Sequence, residues 1–185
     1  MTGRSIFVYF TLFIISILNA NSQTTNYNLT KLAVQNNIKV VNRELRTSAN
    51  DSINIIHLSS NESDGVAWIE GLEFSNGIIE IDTKGKDIFH PSFIGIAFHG
   101  VDEKTLDVVY FRPFNFKSRD TIHRSYAVQY ASHPEYPWAV LRDQFPGQYE
   151  KSIFPAPNPN AWFHVKIVVT YPQIKVFANN IQKPV

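Results

Sequence analysis

The chain has 185 residues, with 17 Lys and Arg against 16 Asp and Glu and a net charge of +1. That balance excludes nucleic acid as the main partner, because phosphate binding needs a basic surplus. The absence of cysteine excludes a disulfide framework, a thiol nucleophile, thiolate metal sites and a lipidated amino-terminal cysteine, while 44% hydrophobic and 14% aromatic residues supply one domain with a core and exclude global disorder.

Residues 1–22 read as a secretory signal peptide. Met1-Thr2-Gly3-Arg4 is a short basic start, Ile6 to Leu18 is a near-continuous apolar run, and Ala20 and Ser22 are the small residues of a cleavage site, leaving Gln23 as the mature start. The run falls short of the roughly 20 residues that a span needs, which favours cleavage over a retained anchor and predicts no stable membrane span afterwards. Export without cysteine suits a secreted or periplasmic protein. The triplets Asn28-Leu29-Thr30, Asn50-Asp51-Ser52 and Asn61-Glu62-Ser63 match the glycosylation sequon and read as chance in an Asn-rich chain.

Residues 23–36 read as a polar linker. Strands are predicted over Asn37 to Leu45, over Ser52 to Leu58, and over Val66 to Phe74 with a bulge at Gly71. Ser75-Asn76-Gly77 is a tight turn, and Ile78 to Thr83 follows with Glu80 and Asp82 on one face. Next comes the pair that organises the chain. Phe93 to His99 is apolar or small on both faces, which predicts a central strand covered on both sides. After the polar turn Gly100 to Lys104, a strand over Thr105 to Phe111 runs into Arg112-Pro113-Phe114-Asn115-Phe116. The proline cannot donate to a ladder, so pairing should weaken there.

Tyr126 to Ala131 is a further strand. His133 to Pro159 holds six prolines among several aromatic residues and reads as a long ordered loop packed across a sheet, with a helical turn in Ala139 to Gln144. Trp162 to Thr170 and Gln173 to Asn179 form a hairpin through Tyr171-Pro172. Many strands at regular spacing with almost no helical period predict an all-β, antiparallel two-sheet β-sandwich over 37–185. Ile181 to Val185 looks like the opening of another strand. The expectation is therefore a sandwich lacking its last strands at the C-terminus, or one completed by a partner.

Three segments carry a resemblance. Phe74 to Asp82, Phe93 to Gly100 and Val109 to Asn115 resemble the concanavalin-A-like (laminin-G-like) jelly roll, most nearly the secreted bacterial domains labelled 3-keto-disaccharide hydrolase-like. Trp162 to Ile167 with Val176 to Asn180 resembles that family's late hairpin. The resemblance covers roughly Val66 to Asn180. It implies two curved sheets, carbohydrate bound on or above the concave one, and further strands after the late hairpin. Jelly-roll hydrolases of the laminarinase type carry Glu-x-Asp-x-x-Glu. Here Glu80-Ile81-Asp82 is followed by Thr83-Lys84-Gly85, so no catalytic role is carried over.

His99, Arg112 and Asn115 form the leading candidate constellation. Arginine offers a rigid donor fork, asparagine a donor and an acceptor, and histidine either. Gln129 adds to the array, and Tyr110, Tyr130, Tyr136 and Trp138 offer aromatic platforms for sugar C–H faces. The competing reading is a buried structural network in which Arg112 braces the proline-rich loop. Glu80 and Asp82 share a face near the carboxyl separation of about 5–5.5 Å that a retaining glycosidase needs; otherwise they are a solvated face. The histidines show no metal-ligand spacing, and a calcium at Asp102 or Asp107 is a minor alternative. Neither a G-x-S-x-G elbow nor a phosphate loop nor a dinucleotide fingerprint is present, so no cofactor is expected. The functional expectation is an exported module binding a carbohydrate or glycan-like ligand. The rivals are a glycosidic-bond hydrolase and an adhesion or packing module.

Overall fold

A computed structural model describes residues 24–50, 53–89, 92–179 and 181–185; the signal peptide expected over 1–22 lies outside the described residues. Among the described residues eleven strands follow one another: β1 Ile38–Val41, β2 Leu45–Asn50, β3 Ile53–Leu58, β4 Val66–Ile69, β5 Gly77–Thr83, β6 Ile94–Phe98, β7 Leu106–Phe111, β8 Val128–His133, β9 Glu150–Lys151, β10 Phe163–Thr170 and β11 Gln173–Ala178. Three short helices interrupt them: α1 Leu29–Val34, α2 Thr121–Ser125 and α3 Trp138–Gln144. Every strand pairing is antiparallel. The fold is an all-β sandwich.

Its two layers are a four-stranded sheet, β6-β7-β8-β9, and a three-stranded sheet, β11-β10-β5. Strict alternation along β10 buries Phe163, Val165, Ile167 and Val169 and leaves His164 and Lys166 outside. The buried set meets Phe98, Val109, Phe111 and Val128 from the opposite sheet. The Phe163 ring stands edge-on to Phe111 at 5.2 Å and to Phe116 at 5.3 Å, so it joins the layers. β2 and β3 form a hairpin under α1. β1 and β4 form a ribbon beside the β6–β7 turn, where the Trp68 ring packs on Gly100 and Lys39 reaches Glu103 at 3.4 Å. After β11 the chain turns back, and Val185 N donates to Val176 O at 2.9 Å.

The structure corrects several expectations. Asn37 to Leu45 is not one strand. Asn42 adopts φ 51° and breaks it, its Nδ2 donating to the carbonyls of Glu62 and Asp64. Val66 to Phe74 ends at Ile69, because Gly71 takes φ 72° in a turn, not a bulge. Phe93 to His99 was expected at the centre of its sheet, but β6 is the edge strand and β7 takes the centre. Apolar or small residues on both faces predict cover on both sides, yet Gly95 of β6 and Phe93 just before it are exposed. The stretch read as linker contains α1, capped by Asn28 Oδ1 accepting from Lys31 N at 2.9 Å. The late hairpin and the helical turn in the proline-rich loop stand where they were predicted.

Candidate functional site

The register of the four-stranded sheet sets one row of residues across its outer face. Gly95 pairs with Tyr110, Tyr110 with Gln129, and Gln129 with Glu150. Period-two alternation puts this row opposite the core-facing Val109 and Val128. A Cβ at position 95 would lie 2.7 Å from both Tyr110 Cβ and Val109 O, so only glycine fits beside the tyrosine. One pleat further along β7, Arg112 lies under two aromatic faces, Tyr110 at 4.9 Å and Phe93 at 5.7 Å. It is 7% exposed. Its Nη1 donates to Tyr126 O at 2.8 Å and its Nη2 to Tyr110 Oη at 3.0 Å. Burial lowers the guanidinium from its ordinary value, and burial pushes the Tyr110 hydroxyl up to about 12, against the pull of Arg112 and Arg142.

Gln129 is 1% exposed. Its Nε2 donates to Tyr130 O at 2.8 Å and Tyr149 O at 3.3 Å, which fixes the amide orientation and leaves Oε1 a buried acceptor without a partner among the described residues. At the end of the row, Glu150 is clamped by Arg142 of α3, with Nε at 2.9 and 3.1 Å and Nη2 at 2.6 Å. The Arg142 guanidinium stacks on Tyr126 at 3.8 Å and Trp138 at 4.8 Å. The clamp raises the Arg142 pKa. Half-exposed Trp138 thus stands at the β8–β9 side of the row and half-exposed Phe93 at the β6 side.

Of the eight residues singled out in the sequence, Tyr110, Arg112, Gln129 and Trp138 converge here, while Tyr136 pairs through its backbone with Ser132, three residues along β8 from Gln129. Asn115 is adjacent but buried, its backbone N–H held by Arg112 O in the 3₁₀ turn Pro113–Asn115. His99 does not join them, which corrects the expected constellation. β6 and β7 are antiparallel, so the residues that end each strand lie at opposite ends of the sheet. His99 Nδ1 lies 2.8 Å from Asp107 Oδ2 and Nε2 lies 2.6 Å from Ser75 O, so neither nitrogen is offered to a ligand. Tyr130 also leaves the site: it faces inward opposite Val109, and its hydroxyl donates to Asp107 Oδ1 at 2.9 Å. Sequence reasoning missed Phe93, Tyr126, Arg142 and Glu150. The one available signal was the helical spacing of Trp138 and Arg142.

The carboxylates weighed for glycosidase chemistry lie on the other sheet. Glu80 pairs with Lys166 at 3.0 Å and Asp82 with His164 at 2.9 Å, as exposed cross-strand pairs. Among the described residues, no group of three or more His, Cys, Asp or Glu could hold a metal ion. No helix among them is long and apolar enough to cross a membrane. Two surface cavities, of about 460 Å³ beside Asn42 and Asn61 and about 360 Å³ beside Phe154 and Ile181, are lined by no residue of the row. The row itself holds a buried donor fork, a hydroxyl already bonded to that fork and a buried amide oxygen, with half-exposed aromatic faces at its two ends. Those groups suit recognition, and the single carboxylate of the row, Glu150, is sequestered by Arg142. No family model, curated protein or solved structure matches the chain.

Proposed function

We propose that this chain is an exported carbohydrate-binding module of the concanavalin-A-like jelly-roll kind, and that it takes a saccharide on the outer face of the four-stranded sheet. The observation that carries the reading is the polar row between two half-exposed rings, Phe93 at 52% and Trp138 at 45%. Sugars are recognised by apolar C–H faces stacked on aromatic rings and by hydroxyls bonded to mixed donors and acceptors. Trp138 and Phe93 supply the faces, with Tyr110 and Arg112 beside them and Gln129 buried beneath. A hydrolase reading draws no support from Glu80 and Asp82, which are exposed and paired on the opposite sheet.

A panel of oligosaccharides titrated into the full-length protein by calorimetry tests the proposal. Binding is expected, with roughly tenfold weakening in Trp138→Ala, the loss of one stacked platform at about 1–1.5 kcal/mol. No binding by any saccharide would remove it. The packing-module reading gains from the burial of Arg112 and its bonds to Tyr126 and Tyr110. On that reading Arg112→Ala lowers the melting temperature and no ligand raises it.

A further inference from the structure

The two arginines of the face are built differently. Arg142 has a counter-charge in Glu150, held at 2.6 Å. Arg112 is more buried than Arg142 and pairs with no carboxylate among the described residues. Its acceptors are a backbone carbonyl and a phenol, and its faces lie against rings. A buried charge is costly unless it is paired. The surroundings add charge of the same sign. Phe114 holds the Phe89 and Phe93 rings edge-on at 5.4 and 5.6 Å, and the Phe89 ring is 5.8 Å from His123 of α2. Lys86 N donates to Ser92 Oγ at 2.7 Å, which brings the 84–87 segment to the same rim. Exposed Lys86, Lys117, Arg119 and Arg124 lie on the segments that carry this aromatic group, together with exposed Asp87 and Asp120, and none of the four cations has an ion-pair partner among the described residues.

Resting on the saccharide-binding reading above, we infer that the ligand is an acidic saccharide whose carboxylate or sulfate is received by Arg112. A sugar stacked on Phe93 brings its substituents to the guanidinium edge, where an anionic group supplies the missing counter-charge by accepting from the N–H groups that Tyr126 and Tyr110 do not engage. The cationic rim raises the local concentration of such a ligand. A neutral sugar leaves Arg112 as uncompensated as it is without ligand.

The test compares ligands of one backbone. Oligogalacturonate and its methyl ester are titrated into the full-length protein, with a sulfated galactan oligosaccharide and its desulfated form as a second pair. The acid or the sulfate is expected to bind about tenfold more tightly than its neutral partner, and to weaken as salt rises. Which pair shows the preference tells carboxylate from sulfate. Equal or tighter binding of both neutral forms would overturn the inference while leaving the saccharide reading in place; binding of none of the four overturns the inference, and the wider oligosaccharide panel then decides the saccharide reading. Folded Arg112→Gln should lose the preference, and a preference that survives in it sinks the assignment to Arg112. Should that variant fail to fold, the Arg112 Nε–H resonance of the wild-type protein decides. A shift on adding the preferred charged ligand supports the assignment, and an unmoved resonance overturns it.

Discussion

Tyr110 shows how much a single side chain of the row is asked to do. It packs on Gly95, lies beside the face of Arg112 and accepts from its Nη2. Its hydroxyl is favoured in the protonated form, because burial pushes its pKa from 10.0 up to about 12. The folded state thus holds this proton more tightly than the unfolded chain. The resulting stability is fully present below pH 10 and is lost as pH rises through about 12. The shift corresponds to roughly 2–3 kcal/mol. Tyr130 is raised as well, by burial and then by its bond to Asp107, so Tyr110→Phe should flatten the alkaline limb only in part. Denaturant unfolding at pH 8 to 11.5 on both proteins checks this. Parallel curves for wild type and Tyr110→Phe would contradict it. At this scale the sequence was readable where residues follow one strand: Tyr110 and Arg112 share a face by period two. It was misread for His99: the short turn from Gly100 to Lys104 already implies an antiparallel pair, which puts His99 beside the turn and Arg112 at the far end.

Among elements, α3 and β9 make the cover of the outer face. α3 has one fully buried residue, Leu141, and β9 is two residues long. Neither is stable alone. The Arg142–Glu150 pair ties them together, with the Glu150 side chain 3% exposed. Arg142→Ala leaves that carboxylate buried without its partner and should destabilise by about 3 kcal/mol. The double variant Arg142→Met/Glu150→Leu should lose clearly less than the two single variants summed, because it strands no charge. Chemical denaturation of all four proteins checks this, and additive losses would mean that the pair is not coupled. The helical turn was legible from Ala139 to Gln144. β9 was not, since two residues show no period and its pairing with β8 is set by a loop of proline and aromatic residues that only packing can order.

For the whole molecule, the two sheets share one core, and Phe163 is where they meet. Phe163→Ala should lower stability by about 3–5 kcal/mol and should weaken both sheets together. Amide hydrogen exchange reads this directly: protection should fall in β7 and β10 alike, and a loss confined to β10 would show that the layers open independently. The amino acid order alone determined that this chain is an antiparallel β-sandwich, because alternation of apolar and polar residues is a local property written strand by strand. It also placed Tyr110, Arg112, Gln129 and Trp138 among the candidates. Tertiary structure alone decided that β6 lies at an edge, that His99 and Tyr130 turn to Asp107, and that Arg142 and Glu150 complete the row. Register and strand order are pairings between distant residues, and they exist only once the sheets have formed.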